Sequence, residues 1–447
     1  MYDMKSAVPG LVWPVAPDGN GAFMLSLQYQ FQQTEQQTAE VILDFQLKQA
    51  QSLLYVAQRS VPLYQDRIPK ISGALNREQW EKIPVLSREE LVGAKAQLIN
   101  KKPLKGHDQL NEITTSGSTG MPITAYGTQV TRAFWDAFTL REHLWHKRDF
   151  SGKLISIRPE QGEPGKPLKG SSWGGGAAAV FKTGPAGVLN SRTDISAQLE
   201  WLQAENPEYL LSLPSILSEL ALKCEEQQIE LPNLKQIRSY GELLTQATRD
   251  ICQRVWKVDI TDVYSTQEVG YIAMQCPEQG NYHIQSEGLM VEILDEDDRP
   301  CNVGETGRVV VTTLLNFGAP LIRYAVGDYA QLGEPCGCGR GMPVIQKIMG
   351  RQRNMMKTPD GRTHWPSFPA SYWNLDKIKQ LQLVQKALDT LLIRLVVTAP
   401  LDENEEGKLK ALFIERFEYP FICEFEYLDS ISRTKGGKYE DFMSMVD

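Results

Sequence analysis

Apolar residues recur along this chain at two different spacings. Leu43, Leu47, Ala50, Leu54 and Ala57 fall at alternating steps of four and three, which lines one face of a helix. Residues 25–61 are therefore expected to be largely helical, with Pro62 closing the stretch. Pro84 precedes a second helical start, and Ser87 stands where a side-chain oxygen accepts from the first turn. Between 110 and 330, helical stretches at 131–147, 194–206, 214–228 and 245–256 alternate with short apolar runs such as 154–157, 209–213 and 260–264. That alternation predicts a parallel sheet flanked by helices. Residues 289–334 carry strand signals at 289–294, 307–313 and 329–332, separated by Gly-, Pro- and Asp-rich turns, which suggests an antiparallel or barrel-like lobe. The texture changes again near Gly350-Arg351. Strands at 381–387 and 391–397, an amphipathic helix at 405–417 and a strand at 421–428 form a small α+β unit. The expected fold class is α/β: a large N-terminal domain, 1–349, with mixed and parallel sheets flanked by helices and a β-rich lobe, and a small C-terminal domain, 350–447.

Composition narrows the class. The chain has 447 residues, 42% hydrophobic and 23% charged, with a formal net charge of -8. It is long enough to bury a core without disulfide staples. No basic run marks a nucleic-acid or anionic-membrane surface, so neither is expected as a partner. An acidic chain can still bind a phosphorylated ligand, because a phosphate site is a local construction of backbone N–H groups and a few side chains. No apolar run reaches 18 residues, and the N-terminal stretch lacks the charged-then-apolar order of a signal peptide. Seven cysteines is an odd count in a long chain, so the expected compartment is the reducing cytoplasm.

The stretch richest in chemistry is Thr114-Thr115-Ser116-Gly117-Ser118-Thr119-Gly120-Met121-Pro122. Its glycines let the backbone approach a ligand closely, and its hydroxyls can donate to phosphate oxygens beside loop N–H groups. It is not the phosphate loop of kinases and GTPases, which requires Gly-Lys-Ser/Thr at a fixed spacing. A Ser/Gly turn without a ligand is the alternative for such a run taken alone.

Here the sequence resembles the adenylate-forming superfamily of acyl-CoA synthetases, luciferases and peptide-synthetase adenylation domains. Thr-Ser-Gly-Ser-Thr-Gly-x-Pro is similar to that family's phosphate-binding signature, and further stations follow in order. Tyr240-Gly241-Glu242 resembles the adenine-side motif. Tyr264-Ser265-Thr266-Gln267-Glu268 resembles Tyr-Gly-x-Thr-Glu, and Arg323-Tyr-Ala-Val-Gly-Asp328 resembles Tyr-x-Thr-Gly-Asp. Gly350-Arg351 sits where the hinge begins, and Arg433-Thr-Lys-Gly-Gly-Lys438 resembles the terminal Thr-x-Ser-Gly-Lys. Val61-Pro-Leu-Tyr64, Ile83-Pro-Val-Leu-Ser-Arg88, Asn206-Pro and Leu213-Pro-Ser215 are similar to phenylacetate–CoA ligase and its capsule-cluster relatives.

The resemblance implies roles. Thr115, Ser116, Gly117, Ser118, Thr119 and Gly120 would wrap the β- and γ-phosphates of ATP. Gly241, Glu242, Tyr264, Ser265, Thr266, Asp328 and Arg351 would bind the nucleotide, with Tyr264 against adenine and Asp328 on the ribose. Glu268 would hold Mg²⁺. Lys438 would be the adenylation catalyst, ahead of Lys435, because a cation reaching the α-phosphate and the acid's carboxylate offsets their repulsion. The small domain would be mobile, rotating about Gly350-Arg351 between two half-reactions.

Cys276, His283, Cys336 and Cys338 offer three thiolates and an imidazole, a donor set that suits a closed tetrahedral Zn²⁺ site. Their spacing departs from zinc-finger patterns, which leaves buried packing cysteines as the other reading; some phenylacetate–CoA ligase relatives bind structural zinc at a similar segment. Cys224, Cys252, Cys301 and Cys423 read as packing residues.

Two departures bear on the second step. The hinge, ordinarily Gly-Arg-x-Asp-Asp, reads Gly350-Arg351-Gln352-Arg353-Asn354, and residues 357–366 replace the loop that borders the pantetheine tunnel of CoA ligases. The acceptor therefore stays open between CoA and a carrier protein, amine or hydroxyl. His364 is a candidate base for that step, with packing as its alternative. Trp135, Phe138, Trp145 and Trp173 are candidates for lining an aromatic or small acyl pocket, although such spacing also fits a plain core. A nucleotide-binding relative without catalysis is the competing class. Expected partners are the acid and its acceptor, with a homodimer left open.

Overall fold

The computed structural model describes residues 3–114, 122–159, 161–351, 354–366, 377–431 and 441–446. The N-terminal helical stretch is two helices rather than one, Gly19–Glu35 and Ala39–Ser60. The break follows from side-chain chemistry: Thr38 takes an extended backbone, and its hydroxyl accepts from Val41 N, starting a new helix. Ser87 caps Arg88–Gly93 as expected. Its oxygen accepts from Glu90 N while the Glu90 carboxylate accepts from Ser87 N, satisfying two orphan donors.

Among the described residues one twelve-stranded sheet runs through the large unit, with the short strand Leu168–Gly170 at one edge, antiparallel to Ala186–Asn190. Its parallel half takes the spatial order Ala186–Asn190, Leu154–Arg158, Tyr209–Ser212, Gln236–Tyr240, Ile260–Thr266. The antiparallel half continues directly as Gly270–Gln275, Tyr282–Ile284, Val344–Arg351, Tyr324–Leu332, Thr306–Thr313, Leu289–Leu294. The β-rich lobe is thus an antiparallel extension of the parallel sheet rather than a barrel. Helices Ile195–Glu205, Pro214–Gln227 and Gln246–Trp256 cover one face of the parallel half, burying Ile155, Leu210, Ile237 and Ile260. Helices Gly19–Glu35, Gln129–Trp145 and Gly175–Val180 cover the other, around Phe31, Phe138, Val180 and Met274. The glycine run is a close contact rather than a loose loop: a Cβ on Gly176 would lie 2.2 Å from the Asp136 carbonyl oxygen.

A separate four-stranded sheet, ordered Ile422–Tyr427, Thr390–Val397, Ile378–Ala387, Phe442–Ser444, packs against helix Glu403–Phe417. Leu383, Ile393, Leu409, Phe413 and Phe417 give this unit its own core.

The junction between the N-terminal segments and the antiparallel half is held by one buried cation. Arg323 is 1% exposed, yet its guanidinium is ion-paired to Glu292 at 3.0 Å and donates to the carbonyls of Glu81 and Ile83. Burial pushes the Glu292 carboxyl up, and Arg323 opposes that shift. Removing one partner of such a pair strands the other in a medium that solvates it poorly. Arg323→Met is therefore expected to lower unfolding free energy by about 3–5 kcal/mol, read from the denaturant midpoint, and Arg323→Met with Glu292→Gln should recover part of the loss. A single variant within about 0.5 kcal/mol of wild type would show that the pair does not hold this junction.

Candidate active site

Strand Leu154–Arg158 has Ala186–Asn190 on one side and Tyr209–Ser212 on the other, and the connecting helices lie on opposite faces. The chain therefore diverges at the carboxyl end of this strand, which opens a crevice where open α/β sheets bind ligands. A cavity of about 590 Å³ occupies that position, lined by both units. Its size suits a nucleotide or a small acid with room to spare.

On one wall, the strands carrying the motifs bring three charges together. Tyr264, from the last parallel strand, donates its hydroxyl to Asp328 at 2.8 Å. Arg351 Nε lies 3.5 Å from the other carboxylate oxygen of Asp328. Burial, reinforced by the Asp328 charge, holds the Tyr264 phenol well above its ordinary range, so it stays a donor. Glu268 is 9% exposed, and its Oε1 finds no hydrogen-bond partner among the described residues. Burial raises its carboxyl, with Arg351 opposing. A buried carboxylate oxygen left without a donor is a position a hard cation can satisfy, so Glu268 fits the Mg²⁺ ligand expected of it. Ser265 and Thr266 line the same cavity. Gly241 does too, at φ +78°, a conformation that a side chain would strain. Glu242 also lines it but is committed: its carboxylate accepts from Ser215 N at 2.9 Å and Ser215 Oγ at 3.1 Å, at the start of helix Pro214–Gln227.

Residues Thr115 to Gly120 and Lys438 lie outside the described residues. Their flanks are described. Strands Asn111–Thr114 and Thr124–Gly127 pair antiparallel with Thr114 opposite Thr124, so the hydroxyl-rich segment joins the two arms of a hairpin. Asp441, shortly beyond Lys438, lines the cavity from the small unit, where burial raises its carboxyl to about 6 and the Glu242 charge adds to the shift.

Of the four aromatic candidates, Trp135 alone lines the cavity. Phe138 stacks on Phe31 at 5.0 Å, Trp145 donates to Glu35, and Trp173 donates to the Gly152 carbonyl; all three serve packing. His364 is likewise a packing residue, its ring 5.9 Å from that of Phe417 and absent from the cavity wall. Sequence reasoning missed Arg158, Arg238 and Tyr271. Trp135 stacks on Tyr271 at 4.1 Å, and the Tyr271 hydroxyl accepts from Arg238 Nη2 at 2.7 Å. Arg238 Nε faces Glu142 at 3.3 Å, while Arg148 grips the same carboxylate through both terminal nitrogens. A cation within the run Gln236-Ile-Arg-Ser-Tyr240 of a central parallel strand was the available signal.

The Cys and His residues converge as expected. Strand Gly270–Gln275 leads into Cys276, its neighbour carries His283, and the next strand in the sheet is preceded by Cys336 and Cys338. All four donor atoms lie within 4.8 Å of one another. A tetrahedron with Zn–S bonds of about 2.3 Å has S···S edges of about 3.8 Å; Cys336 and Cys276 sulfurs are 3.8 Å apart, and Cys338 Sγ is 3.3 Å from His283 Nε2. These residues fit zinc. Burial pushes the Cys276 thiol up to about 11; at Cys338 burial acts the same way, but donors from Arg340 and the neighbouring thiols prevail and lower it. Cys224, Cys252 and Cys301 are buried thiols, and Cys423 is half-buried.

Comparison with known proteins agrees with this geometry. The CapK C-terminal domain model matches residues 361–444. No curated protein matches the chain in sequence. Among solved structures, 2-hydroxyisobutyryl-CoA ligase in its postadenylation state aligns with a TM-score of 0.72 at 19% identity, over 92% of this chain and 91% of that one. The same ligase with CoA in its thioesterification state aligns at 0.59, again at 19% identity, over 93% and 92%. Anthranilate CoA ligase AuaEII bound to anthranoyl-AMP aligns at 0.53 and 16% identity, over 74% and 65%. The amide bond synthetase McbA of Marinactinospora thermotolerans aligns at 0.50 and 16%, over 73% and 66%. The chain has the adenylate-forming ligase fold. No described helix is long and apolar enough to cross a membrane.

The charges behind the cavity set a pH response. Burial drives the His146 imidazole from its ordinary 6.5 down to about 4, with Glu142 opposing and Arg148 assisting. Below 6.5 the unfolded chain takes up a proton here that the folded chain refuses until about 4, so acidification through that window costs stability. The loss from this group is about 3 kcal/mol at most. His146→Gln should flatten the stability–pH slope between those limits relative to wild type in matched denaturant titrations; parallel slopes would remove the assignment.

Proposed function

From the premise of an adenylate-forming fold ending in a CapK C-terminal domain, we propose that this chain activates a carboxylic acid, aromatic or small acyl, with ATP. The acyl group then passes to a thiol such as that of CoA. The carrying observation is the cavity at the carboxyl ends of the parallel strands, where Asp328, Tyr264, Arg351 and the unsatisfied Glu268 converge from separate motifs. The better superposition on a postadenylation state than on a thioesterification state supports an arrangement of the two units suited to the first half-reaction.

In that half-reaction a carboxylate oxygen attacks the α-phosphorus of ATP. The bond from phosphorus to the bridging oxygen breaks, and pyrophosphate leaves with the bonding pair. Asp328 accepts from the ribose hydroxyls, Arg351 neutralises the nucleotide, and residues 115–120 hold the outgoing phosphates. Mg²⁺ at Glu268 would supply charge neutralisation on the phosphates. Lys438 offsets the repulsion between the approaching carboxylate and the α-phosphate. The small unit then turns about residue 350 to admit the acceptor. A zinc ion held by Cys276, His283, Cys336 and Cys338 would be structural, since four protein ligands leave no open position.

A second reading, transfer to an amine, hydroxyl or carrier-protein thiol, is favoured by Arg353 in place of the hinge acid and by the likeness to an amide bond synthetase. The nucleophile that releases AMP from preformed acyl-adenylate separates the two.

Acid-dependent exchange of pyrophosphate into ATP tests the whole. Lys438→Ala is expected to lower exchange by about 10²-fold or more with little change in ATP affinity. Equal exchange in both proteins would refute the role of this lysine, and ATP binding without exchange under any acid would favour a non-catalytic scaffold. For the metal, purified protein should carry about one zinc per chain, lost in Cys336→Ser together with part of the thermal stability. A zinc-free wild type prepared without chelator would remove the site.

A further inference from the structure

The part of the cavity next to Trp135 and Tyr271 holds more hydrogen-bond donors than the protein uses. Arg158 ends the strand at which the sheet diverges. Its guanidinium lies over the Tyr240 ring at 5.6 Å, and its buried Nε has no hydrogen-bond partner among the described residues. The Tyr240 hydroxyl is buried and likewise has no hydrogen-bond partner among the described residues. Arg238, 8% exposed, lines the same cavity, bonds Tyr271 through Nη2 and faces Glu142 through Nε. Unmatched buried donors are expensive, and Arg158 and Tyr240 hold theirs on the cavity wall, where a ligand can match them.

Charge points the same way. Arg148 and Arg238 share the single carboxylate of Glu142, and burial holds the adjoining His143 well below its ordinary value, hence neutral. Asp262 also faces Arg238, but burial raises its carboxyl, and Arg158 adds a further cation on the cavity side. The flat stack of Trp135 on Tyr271 forms an apolar wall beside it.

Resting on the adenylation reading above, we infer that the acid has a second acceptor group at the end remote from its reacting carboxylate, foremost another carboxylate. That group is bound by Arg158, Arg238 and the Tyr240 hydroxyl, while its body lies on Trp135 and Tyr271. Plain apolar acids leave these donors buried and unmatched, and a site built to hydrogen-bond a substrate group rejects analogues that lack it.

The test is pyrophosphate exchange with matched acids: isophthalate, 3-hydroxybenzoate and benzoate, then glutarate against butyrate. The diacid should be preferred over its plain counterpart by about 10²-fold or more in kcat/KM, with the hydroxy acid between them. Arg158→Gln and Tyr240→Phe should each cut that preference about tenfold or more through KM for the acid. Benzoate or butyrate as the best substrate would overturn the inference and leave adenylation standing. So would an unchanged preference in both variants, or a matching rise in KM for ATP, which would assign these donors to the nucleotide. Silence with every acid would instead strike the adenylation reading, and this inference with it.

Discussion

One buried carboxylate governs the geometry of the cavity mouth. Asp328 sits on an antiparallel strand, takes a hydrogen bond from Tyr264 on the last parallel strand, and faces Arg351 at the end of the neighbouring strand. Three strands from the two halves of the sheet are thereby fixed to one anion. A hydrogen bond to a charged group contributes about 1.5–3 kcal/mol, and the cost of leaving this carboxylate unpaired is larger still. The surrounding residues are consequently held in register. Glu268, a short turn after Tyr264, inherits its placement from that contact, and its Oε1 has no hydrogen-bond partner among the described residues.

The fold was largely legible because its signals are local. Alternating apolar runs and helical stretches specify a parallel sheet wherever helices must cover both of its faces, and Ser87 and helix Glu403–Phe417 follow from capping and periodicity. The N-terminal pair of helices escaped because a mid-pattern Thr38 gives no sign of starting a new helix until its own backbone is seen extended. Strand order is non-local. Val344–Arg351 inserts between Tyr324–Leu332 and Tyr282–Ile284, and that insertion is what carries Cys336 and Cys338 to Cys276 and His283. The residue types announced the cluster; the route by which distant segments meet could not be read. The aromatic candidates failed for a related reason. Trp135 and Phe138 stand one turn apart on the same helix, and only the angle at which that helix meets the sheet decides which one reaches the cavity.

The buried charges behind the cavity are costly to the fold, and their retention requires a physical reason. Glu142, Arg148 and Arg238 lie under the sheet with both histidines held neutral. Apolar residues of similar volume commonly serve stability as well or better. A preorganised cation with its solvation already replaced by fixed partners is more useful to a ligand than one in water, since it need not reorganise when the ligand arrives. Glu142, itself held by Arg148, and the Tyr271 hydroxyl fix Arg238 on the cavity wall.

The small unit has its own core, with Leu383, Ile393, Phe413 and Phe417 packed independently of the large unit. Its ties across the cavity are polar and thin by comparison, as in the 3.4 Å bond from Gln380 to Glu219. Moving such a unit exchanges one set of weak polar contacts for another and leaves both cores intact, so the barrier to reorientation is far below that of unfolding. Asp441 gives the closed arrangement a built-in asymmetry. Its carboxyl lines the same cavity as Glu242, and the Glu242 charge raises it further, so the two acids repel. A bound cation or protonated group between them would reverse that sign, so the arrangement seen here is one that a loaded cavity holds more tightly than an empty one.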